Sequence, residues 1–184
     1  FFIVALTSLF TIVSPFSTAS VFLSITRGDS KQKKAYMARR ASITATIVLI
    51  ISALAGSYIL SFFGITVNAF RIAGGIIITG IGWKMLKAER EYLKTGGEEK
   101  EAADKSDVSI IPLAIPLLSG PGAITTSIVL MGETSGLLEM LLVLFAIIIV
   151  CAISYIILLK ADMVENYLGE TGRRVLDILR GLIV

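Results

Sequence analysis

Long runs of apolar residues without a charged side chain dominate the sequence. Residues 1–26 contain no charge, and neither do residues 41–70. A helix that crosses about 30 Å of hydrocarbon needs about 20 mostly apolar residues, because each residue advances it by about 1.5 Å. The run 41–70 is too long for one span, and Gly64 opens a polar turn inside it. The pattern therefore predicts spanning helices over residues 1–26, 41–63, 67–85, 108–132 and 137–159, and the start of a sixth helix near Gly172.

The composition supports a membrane protein with a single all-α transmembrane domain. Charged residues make up 17 per cent of the 184 residues, against about 25 per cent in soluble domains, and the mean hydropathy is +0.85. The chain has no His, and its one Cys, Cys151, lies in an apolar run. We therefore expect no metal, no cofactor and no enzyme activity, because zinc sites and Ser-His or Cys-His pairs need residues that are missing. We expect Cys151 to be a small buried apolar residue.

The basic residues predict the orientation in the membrane. Apart from Arg71, Lys84 and Arg180, every Lys and Arg lies in the segments 27–40, 86–107 and 160–174. Cytoplasmic loops of membrane proteins carry an excess of Lys and Arg. We therefore predict that these three loops are cytoplasmic, that the N-terminus lies outside, and that the protein is a multi-pass protein of the inner or plasma membrane of a prokaryotic cell. The same placement argues against nucleic acid as a partner, although the sequence pI is about 9.1.

A charged segment divides the chain into two halves of three spans each. Residues 88–107 mix acidic and basic side chains around Gly96-Gly97, which is typical of a solvated linker. Repeat one then covers residues 1–87 and repeat two covers residues 108–184. With the N-terminus outside, helix one runs inward and helix four runs outward, so the repeats are predicted to be inverted. Since the sequence starts at Phe1 and its last apolar run stops at Val184, we expect both ends to be truncated.

Helices one and four each carry a helix-breaking proline near mid-span. The segments are SPFSTAS at 14–20 and SGPGAITTS at 119–127. Proline removes a backbone donor and is favoured at the first position of a helix, so each helix is predicted to restart there, with Ser14 or Gly120 as N-cap. The freed N–H groups would then point into the membrane interior, where they must be buried in protein or line a cavity. The alternative is a simple proline kink.

Interrupted helices at matching places of inverted halves are a pattern of secondary transporters, whose substrate sites lie between them. Anionic groups such as a carboxylate suit the positive ends of helices. The predicted substrate-binding residues are Ser14, Pro15, Ser17, Thr18, Gly120, Pro121, Gly122, Ala123, Thr125 and Thr126.

Two other features have both a functional and a packing interpretation. Arg71, one turn into helix three, is a candidate for gating or for steering a carboxylate, or its side chain extends to the membrane surface. Small residues such as Gly56 permit close helix contact. Gly74 and Gly75 serve the same packing or else leave room for a substrate.

At these residues the sequence resembles the MarC-related integral membrane proteins. The resemblance covers nearly the whole chain and rests on Ser14-Pro15 followed by VFLS at 21–24, on FRIAGG at 70–75, and most specifically on PLAIPLLSGPGAIT at 112–125. Some members are described as transporters of small neutral amino acids. The resemblance implies six spans in two inverted repeats, a substrate site at the two proline breaks and, for some members, proton-linked uptake.

This chain departs from the family pattern directly before the first proline. Members commonly carry Asp or Asn there, whereas this chain has Ser14, which cannot carry a coupling proton at ordinary pH. Coupling to protons or sodium and the oligomeric state therefore stay open. The function expected is alternating-access transport of alanine or glycine class substrates in the lipid bilayer. The alternatives are an exporter or channel-like pore for other small solutes, and a non-transporting membrane scaffold.

Overall fold

The computed structural model describes residues 1–26, 28–86, 118–161 and 163, and every regular element in these residues is a helix. The helices that the sequence predicts near residue 172 and over residues 108–117, and the linker 88–107, lie outside the described residues. In chain order the helices are α1 (Phe2–Val13), α2 (Pro15–Ile25), α3 (Lys31–Phe62), α4 (Val67–Leu86), α5 (Pro121–Gly132) and α6 (Leu137–Leu159).

The first predicted span is two helices joined at a single residue. α1 ends at Val13 and α2 begins at Pro15, with Ser14 between them in the left-handed region at φ 60° and ψ 60°. The Ser14 N–H donates to the Phe10 carbonyl at 3.1 Å, which completes the last turn of α1. The predicted break in helix one is therefore present at its predicted position.

The second span begins earlier than the sequence pattern indicated. The prediction placed a loop over 27–40 and a helix start at Ala41, but α3 starts at Lys31 and has 32 residues, a length of about 48 Å. The Ser30 hydroxyl accepts from the Lys33 N–H at 3.3 Å, and the Lys33 ammonium pairs with Asp29 at 2.7 Å. The expectation was wrong because it began the helix at the first residue of the apolar run. The helix instead has a charged extension outside the hydrocarbon, which starts at the N-cap Ser30.

The predicted turn at Gly64 is confirmed. Gly64 has φ 70°, and its N–H donates to the Ser61 carbonyl at 3.0 Å, while the Ile65 N–H donates to the Leu60 carbonyl at 2.8 Å. This pair of hydrogen bonds is the Schellman motif, which favours glycine at the left-handed position. The turn places the start of α4 at the same end of the bundle as the end of α3.

The helices pack through stripes of small and aliphatic residues. Ala5, Leu9 and Val13 are fully buried along one face of α1, where it contacts α5 and α6. α3 packs against α5 and α6 through a stripe rich in alanine, and α2 contacts α6. Cys151 on α6 is 3 per cent exposed, as the sequence predicts. The helices around α5 and α6 thus form the core that holds both proline segments.

Three helical stretches are long and apolar enough to cross a membrane. They are α1 with α2 over Phe2–Leu23, then α3, then α6, and α4 and α5 supply shorter apolar helices. Large apolar side chains such as Ile72 at 68 per cent and Leu138 at 72 per cent are exposed on their outer faces, as expected of surfaces that face lipid. These observations confirm an all-helical membrane protein in the described residues. The arrangement as six helices in inverted repeats stays a prediction.

Candidate functional site

Ser14 holds the first proline segment in a strained conformation with a free hydroxyl. It is the one non-glycine residue with positive φ in the part of the chain that the structure describes, and this region disfavours side chains that have a Cβ. The Ser14 Oγ atom is buried and has no hydrogen-bond partner. A buried unpaired hydroxyl is unfavourable by about 1–3 kcal/mol. Ser14 thus combines a strained backbone with an unpaired polar atom, two features that occur more often at functional sites than elsewhere.

Most other buried hydroxyls of the described helices are satisfied by the backbone of their own helix. The Thr18 Oγ1 donates to the Ser14 carbonyl at 3.1 Å, the Ser127 Oγ to the Ala123 carbonyl at 2.8 Å, and the Ser154 Oγ to the Val150 carbonyl at 2.7 Å. This is the usual solution for Ser and Thr inside an apolar helix. The Ser14 hydroxyl cannot form this hydrogen bond in the same way, because Ser14 is not in the helical conformation.

The second proline segment also begins a helix with proline at its first position, although the residue before the proline is extended and not left-handed. Pro121 is the first residue of α5, and Gly120 precedes it in an extended conformation at φ −65° and ψ 173°. The Ile124 N–H donates to the Gly120 carbonyl at 3.0 Å, just as the Thr18 N–H donates to the Ser14 carbonyl at 3.1 Å. Both prolines therefore occupy the first helical position that the sequence predicts for them.

Each of these helix starts has amides that the helix itself cannot pair. The first N–H groups of any helix have no intrahelical acceptor, and at these two starts they belong to Phe16 in α2 and to Gly122 and Ala123 in α5. Gly122 and Ala123 are buried, Ala123 being 2 per cent exposed. Because helix N-termini carry partial positive charge, both starts favour an anionic group.

Gly122 brings the start of α5 against the end of α1. A Cβ on Gly122 would lie 3.2 Å from the Ile12 Cγ2 and 3.7 Å from the Ile78 Cγ1 of α4. Ile12 is two residues before Ser14, so the two proline segments lie side by side. A Cβ at position 122 would be tight against Ile12, and a side chain as large as Leu would separate the two helix ends.

α4 runs antiparallel to α5, and a side chain of each helix packs against a glycine of the other. A Cβ on Gly74 would lie 2.1 Å from the Thr125 Cγ2, and one on Gly132 would lie 2.9 Å from the Val67 Cγ1. The Gly74 position is therefore filled by Thr125, which corrects the idea that Gly74 leaves room for a substrate. Gly75 has nothing within 4 Å of such a Cβ. On α3, a Cβ on Gly56 would overlap the Ile128 side chain of α5, so the predicted close helix contact at Gly56 is present.

A comparison with protein families matches residues 1–184 to the family described as MarC family integral membrane protein. The chain belongs to the MarC family. It is 40 per cent identical to the UPF0056 membrane protein MJ1677 of Methanocaldococcus jannaschii, over all of this chain and 90 per cent of that protein. It is 32 per cent identical to the UPF0056 membrane protein YvbG of Bacillus subtilis, over 96 per cent of this chain and 85 per cent of that protein. No solved structure matches it.

The predicted substrate-binding residues of this MarC-family chain differ in how buried they are and in what they contact. Ser14 and Pro15 form the first break, with Thr18 2 per cent exposed and its hydroxyl engaged by the Ser14 carbonyl. Ser17 and Thr126 are partly exposed, and Thr125 is 7 per cent exposed with its methyl group against Gly74. The structure thus brings the two segments together, and it adds one residue that sequence reasoning missed, Ile12. No local signal marks Ile12, since its role comes from its contact with a helix far away in the chain.

Arg71 of this MarC-family chain lies away from the two breaks. Its guanidinium pairs with the Glu133 carboxylate directly after α5, and the two side chains are 61 and 38 per cent exposed. The pair joins the first turns of α4 to the end of α5. The sequence singled out Arg71 but not this partner, because the two residues are 62 positions apart. In the described residues no cluster of His, Cys, Asp and Glu could hold a metal ion.

Proposed function

We propose that this chain is a secondary transporter of small neutral amino acids, of the alanine or glycine class, which works by alternating access. The substrate lies between the starts of α2 and α5. The single observation that carries the proposal is the meeting of two proline-initiated helix starts beside Ser14, whose buried hydroxyl has no partner. Membership of the MarC family agrees with a membrane transport role.

The break at Ser14 offers groups of both signs to a zwitterion. The amides at the start of α2 and α5 suit a carboxylate. In a continuous helix the Thr11 carbonyl would accept from residue 15, and Pro15 has no N–H to donate. A helix C-terminal end carries partial negative charge and suits an ammonium group. Interrupted helices in transporters bind both kinds of group in this way.

The absence of charged side chains favours a substrate without net charge. Residues 1–26 and 118–132 contain no Asp, Glu, Lys or Arg. A substrate with net charge would lose its hydration without a compensating side chain, which is strongly unfavourable in the membrane interior. The contact between Gly122 and Ile12 leaves little space between the segments, which favours small substrates.

The proposal includes a topology and an orientation. We propose two inverted repeats, over 1–87 and 108–184, with the basic segments in the cytoplasm and the N-terminus outside, in a prokaryotic cell membrane. Antiparallel packing of α4 on α5 is consistent with this topology. Because Ser14 cannot act as a proton carrier, any coupling to protons or sodium uses other groups. We also propose that the chain catalyses no covalent reaction.

Uptake of radiolabelled alanine and glycine into proteoliposomes tests the proposal. We expect saturable uptake that unlabelled alanine competes, and loss of uptake on Gly120→Leu and Gly122→Leu. Gly80→Leu is the matched control, because a side chain at Gly80 meets open space. Flux that does not saturate would favour a channel-like pore. Folded protein that moves no small amino acid would refute the substrate class, and absence of all solute flux would favour a scaffold.

A further inference from the structure

A mainly apolar groove lies between α3 and α6, on residues that take no part in the proposed transport site. It is an open groove with a volume of about 310 Å³, within the range of small-molecule sites. On α3 its lining starts at Arg39 and continues to Thr46, and on α6 it runs from Ile148 to Tyr155. Each helix contributes residues at positions i, i+3, i+4 and i+7, which form one continuous face.

Ser42 lines this groove with an unpaired hydroxyl. The residue is 5 per cent exposed, and its Oγ atom is buried without a hydrogen-bond partner. Its neighbour Thr46 donates to the Ser42 carbonyl at 2.7 Å, as other buried hydroxyls of this bundle do. Ser14 and Ser42 are the two buried side chains of the described residues whose polar atoms lack a partner. An oxygen placed in the groove beside Ser42 would give this hydroxyl a partner.

Arg39 stands at the mouth of the groove, at the surface of the membrane. Charged residues end at Arg40 on α3, and the next residues of the helix, from Ala41 to Phe62, carry no charge. Arg39 is exposed and no described residue forms an ion pair with it, whereas Lys33 on the same helix pairs with Asp29. From Arg39 to Thr46 the groove extends about 10 Å along the helix, from the level of lipid headgroups into the hydrocarbon.

We propose that this groove binds one anionic phospholipid, with the phosphate at Arg39, an ester oxygen at Ser42 and the upper part of an acyl chain along Ile43 and Ile148. A guanidinium is the best side-chain match for a phosphate. Basic pockets between membrane helices are known to select anionic headgroups. Along the groove, the cation comes first, the hydroxyl lies one turn deeper, and the apolar side chains lie below. A phospholipid presents its phosphate, its ester oxygens and its acyl chains in the same order.

Native mass spectrometry of the purified full chain tests this inference, with phosphatidylglycerol and phosphatidylcholine as probes. We expect one phosphatidylglycerol to remain bound at low lipid concentration, at least about fivefold more tightly than phosphatidylcholine. Arg39→Gln should abolish the preference, and Ser42→Ala should weaken retention of both lipids. Lys31→Gln is the matched control, because it removes a positive charge from the same helix two turns away from the groove.

A second variant distinguishes loss of lipid binding from misfolding. Ala152→Leu adds volume on the exposed wall of the groove without removing a polar group, and it should prevent lipid retention while the thermal unfolding temperature stays unchanged. Equal retention of the two lipids by the parent chain, or unchanged preference in Arg39→Gln, would overturn the inference. A dimer cross-linked through Ala152→Cys with lipid excluded would also overturn it, since a second copy would then occupy the groove. None of these results depends on transport activity.

Discussion

Gly122 of α5 and Ile12 of α1 lie in contact, with only 3.2 Å between a Cβ placed on Gly122 and the Ile12 Cγ2. The contact joins the first turn of one proline-initiated helix to the last turn before the other proline. It places the Ser14 break and the Gly120-Pro121 start next to each other within the bundle. The proposed substrate site depends on this relationship more than on any single polar residue.

Gly74→Ala should destabilise the protein, because its new methyl group would meet the Thr125 Cγ2 at 2.1 Å. Overpacking of this kind costs about 1–3 kcal/mol. Gly75→Ala is the matched control on the same helix, and it should be neutral or slightly stabilising, since its methyl group meets nothing within 4 Å. Thermal unfolding in detergent measures both.

The partner of Gly74 can be tested in the same assay. Thr125→Ser removes the methyl group that Gly74 contacts and keeps the hydroxyl, so the double variant Gly74→Ala with Thr125→Ser should regain most of the lost stability. If Gly74→Ala and Gly75→Ala unfold at the same temperature, α4 does not pack on α5 through Gly74.

Ser14→Gly should raise stability and lower transport. Glycine adopts φ 60° without strain, which is worth about 1–2 kcal/mol, and it removes the buried unpaired hydroxyl. Substrate binding should weaken by about fivefold to tenfold, the effect of one lost hydrogen bond. Thermal unfolding and alanine uptake in proteoliposomes measure the two effects separately.

Two further substitutions at position 14 separate strain from hydrogen bonding. Ser14→Ala loses the hydroxyl and keeps the strain, so uptake should fall without the gain in stability that Ser14→Gly gives. Ser14→Asn keeps a polar side chain that tolerates the left-handed region, so it should retain more uptake than either. Full uptake in Ser14→Ala would contradict a role for the hydroxyl in binding.

Arg71→Gln and Glu133→Gln should have the same effect, because each removes one half of the same ion pair. Both side chains are more than a third exposed, so each variant should lose only about 0.2–1 kcal/mol of stability. The exchanged pair, Arg71→Glu with Glu133→Arg, should recover parent behaviour in unfolding and in uptake. If Arg71→Gln alone lowers uptake, Arg71 acts on the substrate and not through Glu133.

Gly64→Ala should destabilise the turn between α3 and α4, because Gly64 has φ 70° in the Schellman motif. The expected loss is about 1 kcal/mol. Gly80→Ala is the control, since Gly80 lies inside α4 and a Cβ there meets open space. Equal unfolding temperatures for the two variants would argue against a left-handed residue at position 64.

The sequence was sufficient for features that follow from local chemistry. Hydropathy located the apolar spans, Gly64 marked the turn, and Pro15 and Pro121 marked the helix starts, since each depends on a residue's own backbone preferences. The start of α3 at Lys31 was missed because charged residues outside the membrane are compatible with a helix as well as with a loop. The contacts of Gly74 with Thr125 and of Arg71 with Glu133 could not be predicted, because they join helices that are distant in the chain.

Substrate protection at both helix starts tests the central claim most directly. In a Cys151→Ala background, single cysteines at Phe16 and Thr126 would be labelled with a membrane-permeant maleimide. The control is Tyr36→Cys, because Tyr36 is 59 per cent exposed on the charged extension of α3. We predict that alanine slows labelling at both Phe16→Cys and Thr126→Cys and leaves Tyr36→Cys unchanged. If no small amino acid alters the labelling rates at the two helix starts in folded protein, the central claim is contradicted.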